Sequence, residues 1–115
     1  MKVQSSIIEN KYLRVRSINI GACLYEVYDK QKKINLILNL GSKKNYSNKN
    51  FYVGATCGRY AGRISNSRFK IKKKIYKLDC NEGRNTLHGG KIGFDRLEWK
   101  IPVSYTHLTL PTTVI

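Results

Sequence analysis

Tyr12-Leu13-Arg14-Val15-Arg16-Ser17-Ile18-Asn19-Ile20-Gly21 is the stretch that sets the fold class. Leu13, Val15 and Ile18 alternate with Arg14, Arg16 and Asn19 until Gly21 breaks the run, the mark of a strand with one apolar face. Downstream, Cys23-Leu24-Tyr25-Glu26-Val27-Tyr28 continues in β-favouring residues. Asp29-Lys30-Gln31-Lys32-Lys33 then supplies a polar turn, and Ile34-Asn35-Leu36-Ile37-Leu38-Asn39-Leu40 returns as a further strand. The expectation is a hairpin.

Farther along, residues 41 to 50 are rich in Ser, Asn and Lys and read as a surface loop with Tyr46 as its one large apolar anchor. Phe51-Tyr52-Val53-Gly54 opens the second half, followed by Gly54, Gly58 and Gly62 at a spacing that fits neither a helix face nor a phosphate loop. Such glycines mark backbone brought close to something else. Phe69, Ile71, Ile75, Tyr76 and Leu78 frame a basic tip at Lys72-Lys73-Lys74, a second hairpin signal. No stretch keeps a 3.6-residue period, so the predicted class is all-β.

A chain of 115 residues has room for one small domain with a modest core. Its 41% hydrophobic and 25% charged content is ordinary for a globular protein. The longest apolar run is too short to span a bilayer, and the first residues lack the apolar stretch of a secretory signal, so the expected location is cytoplasmic, with no membrane partner. The net charge of +15 invites a polyanion, but 10 basic and 3 acidic groups in residues 1–50 and 12 and 4 in residues 51–101 make an even spread. No specific nucleic-acid partner is expected from charge alone. Cys23, Cys57 and Cys80 form no C-x-x-C pair and read as reduced thiols. With two distant histidines they make no metal site. From Ile101 onward the composition changes: both prolines and no charged residue fall there. Residues 1–101 are therefore read as the domain and residues 102–115 as a non-native or disordered tail.

The chemistry concentrates in two segments. Asn81-Glu82-Gly83-Arg84-Asn85-Thr86-Leu87-His88-Gly89-Gly90 sets an imidazole beside two glycines, where a ligand can approach the ring with no Cβ in the way. Gly58-Arg59-Tyr60-Ala61-Gly62-Arg63-Ile64 sets two arginines four positions apart, which in an extended strand share a face. A loop histidine is more often a surface or core residue, and a strand arginine usually reaches to solvent, so spacing alone assigns neither a role.

These blocks, with Asn50-Phe51-Tyr52-Val53-Gly54-Ala55 before them and Gly93-Phe94-Asp95 and Trp99 after, resemble the N-terminal signature of the aldose 1-epimerases over about residues 12–101. The resemblance implies an antiparallel β-sandwich of the galactose mutarotase type, incomplete here because the likeness stops near residue 101. It implies a monosaccharide substrate, an aldohexose such as glucose or galactose, whose α and β anomers are interconverted without a cofactor. A glutamate base and a histidine acid open and reclose the ring in that family. By position, Arg63 matches the arginine that bonds sugar hydroxyls, and His88 the first active-site histidine, which orients the sugar. Gly62 stands where many members carry asparagine, and Arg59 is read as structural. No catalytic residue is assigned within the chain, because the acid and the base are expected beyond the matching region and the surroundings of His107 fit neither. The chain alone is thus expected to lack turnover. A non-catalytic carbohydrate-binding relative and a hexose-phosphate epimerase of the same fold are the alternatives, and nothing in the sequence specifies an oligomeric state.

Overall fold

The computed structural model describes residues 2–47 and 52–102. The expectations for Phe51, His107 and the tail from residue 103 onward lie outside the described residues. Four strands form an antiparallel meander in the order β1 (Ser5–Glu9), β2 (Leu13–Ile18), β3 (Cys23–Asp29) and β4 (Ile34–Asn35). The second half contributes two short antiparallel ribbons, β5 (Arg63–Ile64) with β8 (Thr86–Leu87), and β6 (Arg68–Ile71) with β7 (Lys74–Lys77). Among the described residues the only helical pieces are 3-10 turns of three or four residues at Lys43–Tyr46, Ser65–Ser67 and Phe94–Arg96. The described chain is all-β and antiparallel, as expected.

The β2–β3 hairpin follows from its alternation. Val15 pairs with Val27, while Arg14 and Arg16 share the opposite face with Glu26, which both guanidinium groups bridge at 2.9 and 3.2 Å. Arg14 also lies 4.5 Å from the ring centre of Tyr28, its cross-strand partner. The register shifts after Arg16, so Tyr25 is the extra residue of a bulge. Its ring meets Tyr46 edge-on at 5.7 Å. Asp29 holds the turn by accepting from the backbone N–H of Gln31 and Lys32, both at 3.0 Å.

The expected strand over residues 34–40 is shorter than its apolar content implied. Only Ile34 and Asn35 pair, because asparagine side chains then take over the backbone's bonds. Asn35 accepts from Val27 N–H at 3.0 Å, Asn39 donates to the Tyr25 carbonyl at 3.0 Å, and Leu40 N–H donates to the Tyr46 hydroxyl at 3.0 Å. Tyr46 is the loop's anchor as predicted and is fully buried. It forms the core with Ile18, Ile20 and Cys23, packed by Val3, Tyr25, Leu40 and Ala55. That core lies at one end of the β2–β3 hairpin; Leu13 at the hairpin's other end and Ile7 and Ile8 on β1 stay exposed.

Strand β1 was not foreseen. Ser5–Glu9 has no strict alternation, but buried Asn19 holds the chain before it, accepting from Gln4 N–H at 2.7 Å and donating to the Lys2 carbonyl at 2.9 Å. The later segments are tied to the same sheet. Leu24 N–H donates to Gly54 O at 2.9 Å, Gly21 N–H to Leu97 O at 2.8 Å, and Trp99 N–H to Asn19 O at 2.7 Å. The second predicted hairpin is present, but its tip is Lys72-Lys73, with Lys74 already in β7. Phe69 stacks on Tyr76 across it at 5.2 Å.

Candidate functional site

The site forms where β5 and β8 pair. Arg63 lies opposite Leu87, and the ladder continues one step further, with His88 N–H donating to Gly62 O at 3.0 Å. The imidazole then turns back on the same residue. Gly62 N–H donates to His88 Nδ1 at 3.0 Å, so both backbone polar groups of one glycine are held by a residue 26 positions away. An imidazole nitrogen accepts only without a proton, which leaves the proton of the neutral ring on Nε2. His88 therefore offers an Nε2–H donor. Its ring is braced on one side by Tyr52, edge-on with ring centres 4.7 Å apart.

Asn81 builds the wall beside it. Its amide accepts from Leu87 N–H at 2.7 Å and donates to Leu87 O at 2.8 Å, acting as a third strand for the ladder. Thr86 is buried, and its hydroxyl donates to Asp79 O at 2.6 Å. Behind His88, Gly89 packs against the Gly58 carbonyl, and that carbonyl also accepts from Phe94 N–H at 3.0 Å.

Arg63 is 62% exposed on its strand, and Glu82 grips it. Arg63 Nε donates to Glu82 Oε1, and Nη2 donates to Oε2 at 2.9 Å. This fork lowers the Glu82 carboxyl below the usual carboxylate range and raises the Arg63 guanidinium above its own, in each case chiefly through the side-chain hydrogen bond between them. A guanidinium has five N–H groups, so about three remain for another acceptor.

An open groove of about 510 Å³ runs alongside, lined by Tyr52, Asn81, Glu82, Leu87, Lys91 and Arg96 among others. That volume is within the range of small-molecule sites. Arg63 and His88 do not line it themselves; each touches a residue that does, Glu82 and Tyr52 respectively.

The predicted site residues Gly62, Arg63 and His88 are thus contiguous in space. Gly62 has open space where a Cβ would stand, while Gly54 and Gly58 do press on neighbours, the Leu24 carbonyl and the Phe94 ring. The shared arginine face is not realised. The strand begins only at Arg63, and Arg59 instead sets its guanidinium 5.7 Å from the centre of the Phe94 ring. Glu82 and Tyr52 were not foreseen as part of the site. Burial pushes the Tyr52 phenol and the Cys57 thiol up, which makes Cys57 a poor nucleophile. Among the described residues no cluster of three or more metal-ligating side chains occurs, and no helix is long and apolar enough to cross a membrane.

Comparison with known proteins converges on one family. The family described as aldose 1-epimerase matches residues 4–114. Galactose mutarotase of Sus scrofa is 38% identical over 100 residues, covering 84% of this chain and 29% of the relative. Aldose 1-epimerase of Lactobacillus helveticus is 36% identical over 94 residues, covering 81% of this chain and 70% of the relative. Among solved structures, the GalM/aldose epimerase homologue of C. elegans superposes with a TM-score of 0.79 at 29% identity, over 90% of this chain and 33% of that one. Galactose 1-epimerase of Lactobacillus acidophilus gives 0.74 at 30%, over 91% and 36%. The chain therefore spans about 29% of the length of the porcine relative, and its antiparallel fold is of the galactose mutarotase type.

Proposed function

This chain belongs to the aldose 1-epimerase family, and on that premise we propose that it serves the interconversion of the α and β anomers of a free aldohexose, with Arg63 and His88 as sugar-binding residues. The observation that carries the reading is the double tether between Gly62 and His88, which sets the imidazole beside the strand that bears Arg63. On this reading one polyol takes two kinds of donor, the Nε2–H of a ring pinned at Nδ1 and the Arg63 N–H groups that Glu82 leaves unused. Gly62, with open space in place of a side chain, leaves room for the ligand at the same point.

Ring opening needs an acid at the ring oxygen and a base at the anomeric hydroxyl. Glu82 is the carboxylate beside His88, but both of its oxygens are held by Arg63, which disqualifies it as the base. The reading therefore assigns the acid and the base to sequence outside residues 12–101, and to this chain the binding of the sugar. Cys57 and Cys80 stand as free thiols, which fits a reducing compartment such as the cytoplasm.

Polarimetry on freshly dissolved α-D-galactose or α-D-glucose tests the proposal, using protein expressed from the complete reading frame. Rotation should relax faster than in buffer, and Arg63→Ala or His88→Ala should slow it about tenfold or more, the scale for removing a charged or oriented hydrogen-bond donor. Relaxation at the buffer rate, with sugar still bound, would move the chain to a non-catalytic carbohydrate-binding role.

A further inference from the structure

We propose that Glu82 is a positioning residue for sugar binding, holding the Arg63 guanidinium in the orientation from which its remaining N–H groups meet the substrate. The inference rests on the reading of Arg63 and His88 as sugar ligands and extends it to a residue to which the sequence assigned no role. Arg63 extends from a two-residue strand and is largely exposed, and it has several rotatable bonds. Left alone, such a side chain samples many rotamers and loses that freedom on binding. The two-point fork from Glu82 removes the freedom beforehand, because the planar guanidinium is fixed along the edge carrying Nε and Nη2.

The placement of Glu82 is itself controlled. It follows Asn81, whose side chain is bonded at both ends to Leu87, and its backbone forms a bridge with Asn85 in which Glu82 N–H donates to Asn85 O at 3.1 Å and Asn85 N–H to Glu82 O at 2.9 Å. The carboxylate is thus presented from a tight turn. It also lines the groove beside Tyr52 and Leu87, and so joins the arginine to the wall of the open volume. Nearby Lys91 and Arg96, the other charged groups lining the groove, have no bond to it. A surface ion pair adds little to stability, so the consequence of this one should be read in ligand affinity instead.

The test uses protein from the complete reading frame and four forms: parent, Glu82→Gln, Arg63→Lys and the double variant. D-galactose affinity is measured by calorimetry, and KM and kcat by polarimetry. Glu82→Gln should weaken affinity and raise KM about threefold with kcat within a factor of two, the pattern for lost uniform binding. In the Arg63→Lys background the same change should alter affinity by less than about 1.5-fold, because an ammonium group cannot present the two parallel N–H donors of the fork to the carboxylate. Equal effects of Glu82→Gln in both backgrounds, or no effect in the parent, overturn the inference while leaving the functional reading intact. A parent protein that neither binds nor equilibrates the sugar overturns both. Thermal melting of each form shows whether it is folded, and Glu82→Asp, which keeps the charge on a shorter stem, should recover part of the affinity.

Discussion

Adding one methyl group at Gly89 should unseat the histidine loop. The residue has φ +90°, and a Cβ built there would fall 1.9 Å from the Gly58 carbonyl oxygen and 2.7 Å from its carbon. Both neighbours are backbone, so no side-chain rotation relieves the overlap. A left-handed conformation with a Cβ costs about 1–2 kcal/mol. Moving the Gly58 carbonyl also breaks its bond from Phe94 N–H at 3.0 Å, a further loss of about 1 kcal/mol. Gly89→Ala should therefore cost about 3 kcal/mol, or a fall in Tm of about 12–20 °C for a chain of this size. Gly83→Ala is the matched control, with φ +58° and no atom within 4 Å of the added carbon. It should lose only about 1 kcal/mol, about 5 °C. Thermal melts followed by circular dichroism compare the two. A Gly89→Ala protein that melts within 3 °C of Gly83→Ala would refute the packing of the His88–Gly89 turn on Gly58.

Three further outcomes follow from single contacts. Asn81→Ala removes both bonds to the Leu87 backbone and should lower stability by about 2 kcal/mol in a urea titration, with faster hydrogen exchange at the Leu87 amide. Tyr46→Phe keeps the buried ring but takes the acceptor from Leu40 N–H, for a loss of about 1–2 kcal/mol in the same titration. Glu26 lies between Arg14 and Arg16, and its carboxyl is lowered from the ordinary 4.5, chiefly by the hydrogen bond from Arg14. A depressed folded-state value means stability that is present above the unfolded value and is lost as pH falls through the folded one. The gap in Tm between the parent and Glu26→Gln should accordingly be constant above about pH 5 and narrow below pH 4.5; a gap that widens on acidification would contradict the pairing.

The sequence disclosed most where a side-chain pattern alone sets the structure. Leu13, Val15, Val27 and the arginines against Glu26 make the β2–β3 hairpin readable, and Asp29 announces its turn. Residues 34–40 misled because five apolar positions out of seven hide the competition from Asn35 and Asn39, whose amides satisfy the backbone in place of a ladder. Strand β1 was hidden for the opposite reason. Its pairing is enforced by Asn19, a buried polar residue 15 positions from its partner Gln4, which no local period reveals. At the site, motif order singled out Arg63 and His88, but the step that brings their segments side by side is the β5–β8 register, two residues long on each side. Glu82 was invisible as a partner because an acid in a turn has many solvent-facing fates, and only the folded ladder brings it to Arg63.

Titration of D-galactose into protein from the complete reading frame, watched by nuclear magnetic resonance at two side chains, probes the heart of the account. The His88 Nε2–H and Arg63 Nε–H signals are assigned by their loss in His88→Ala and Arg63→Ala. Both should shift along one saturation curve with a single Kd. A sugar that is demonstrably bound while both signals stay still, or that moves them with different Kd values, would contradict a shared site for the imidazole and the guanidinium.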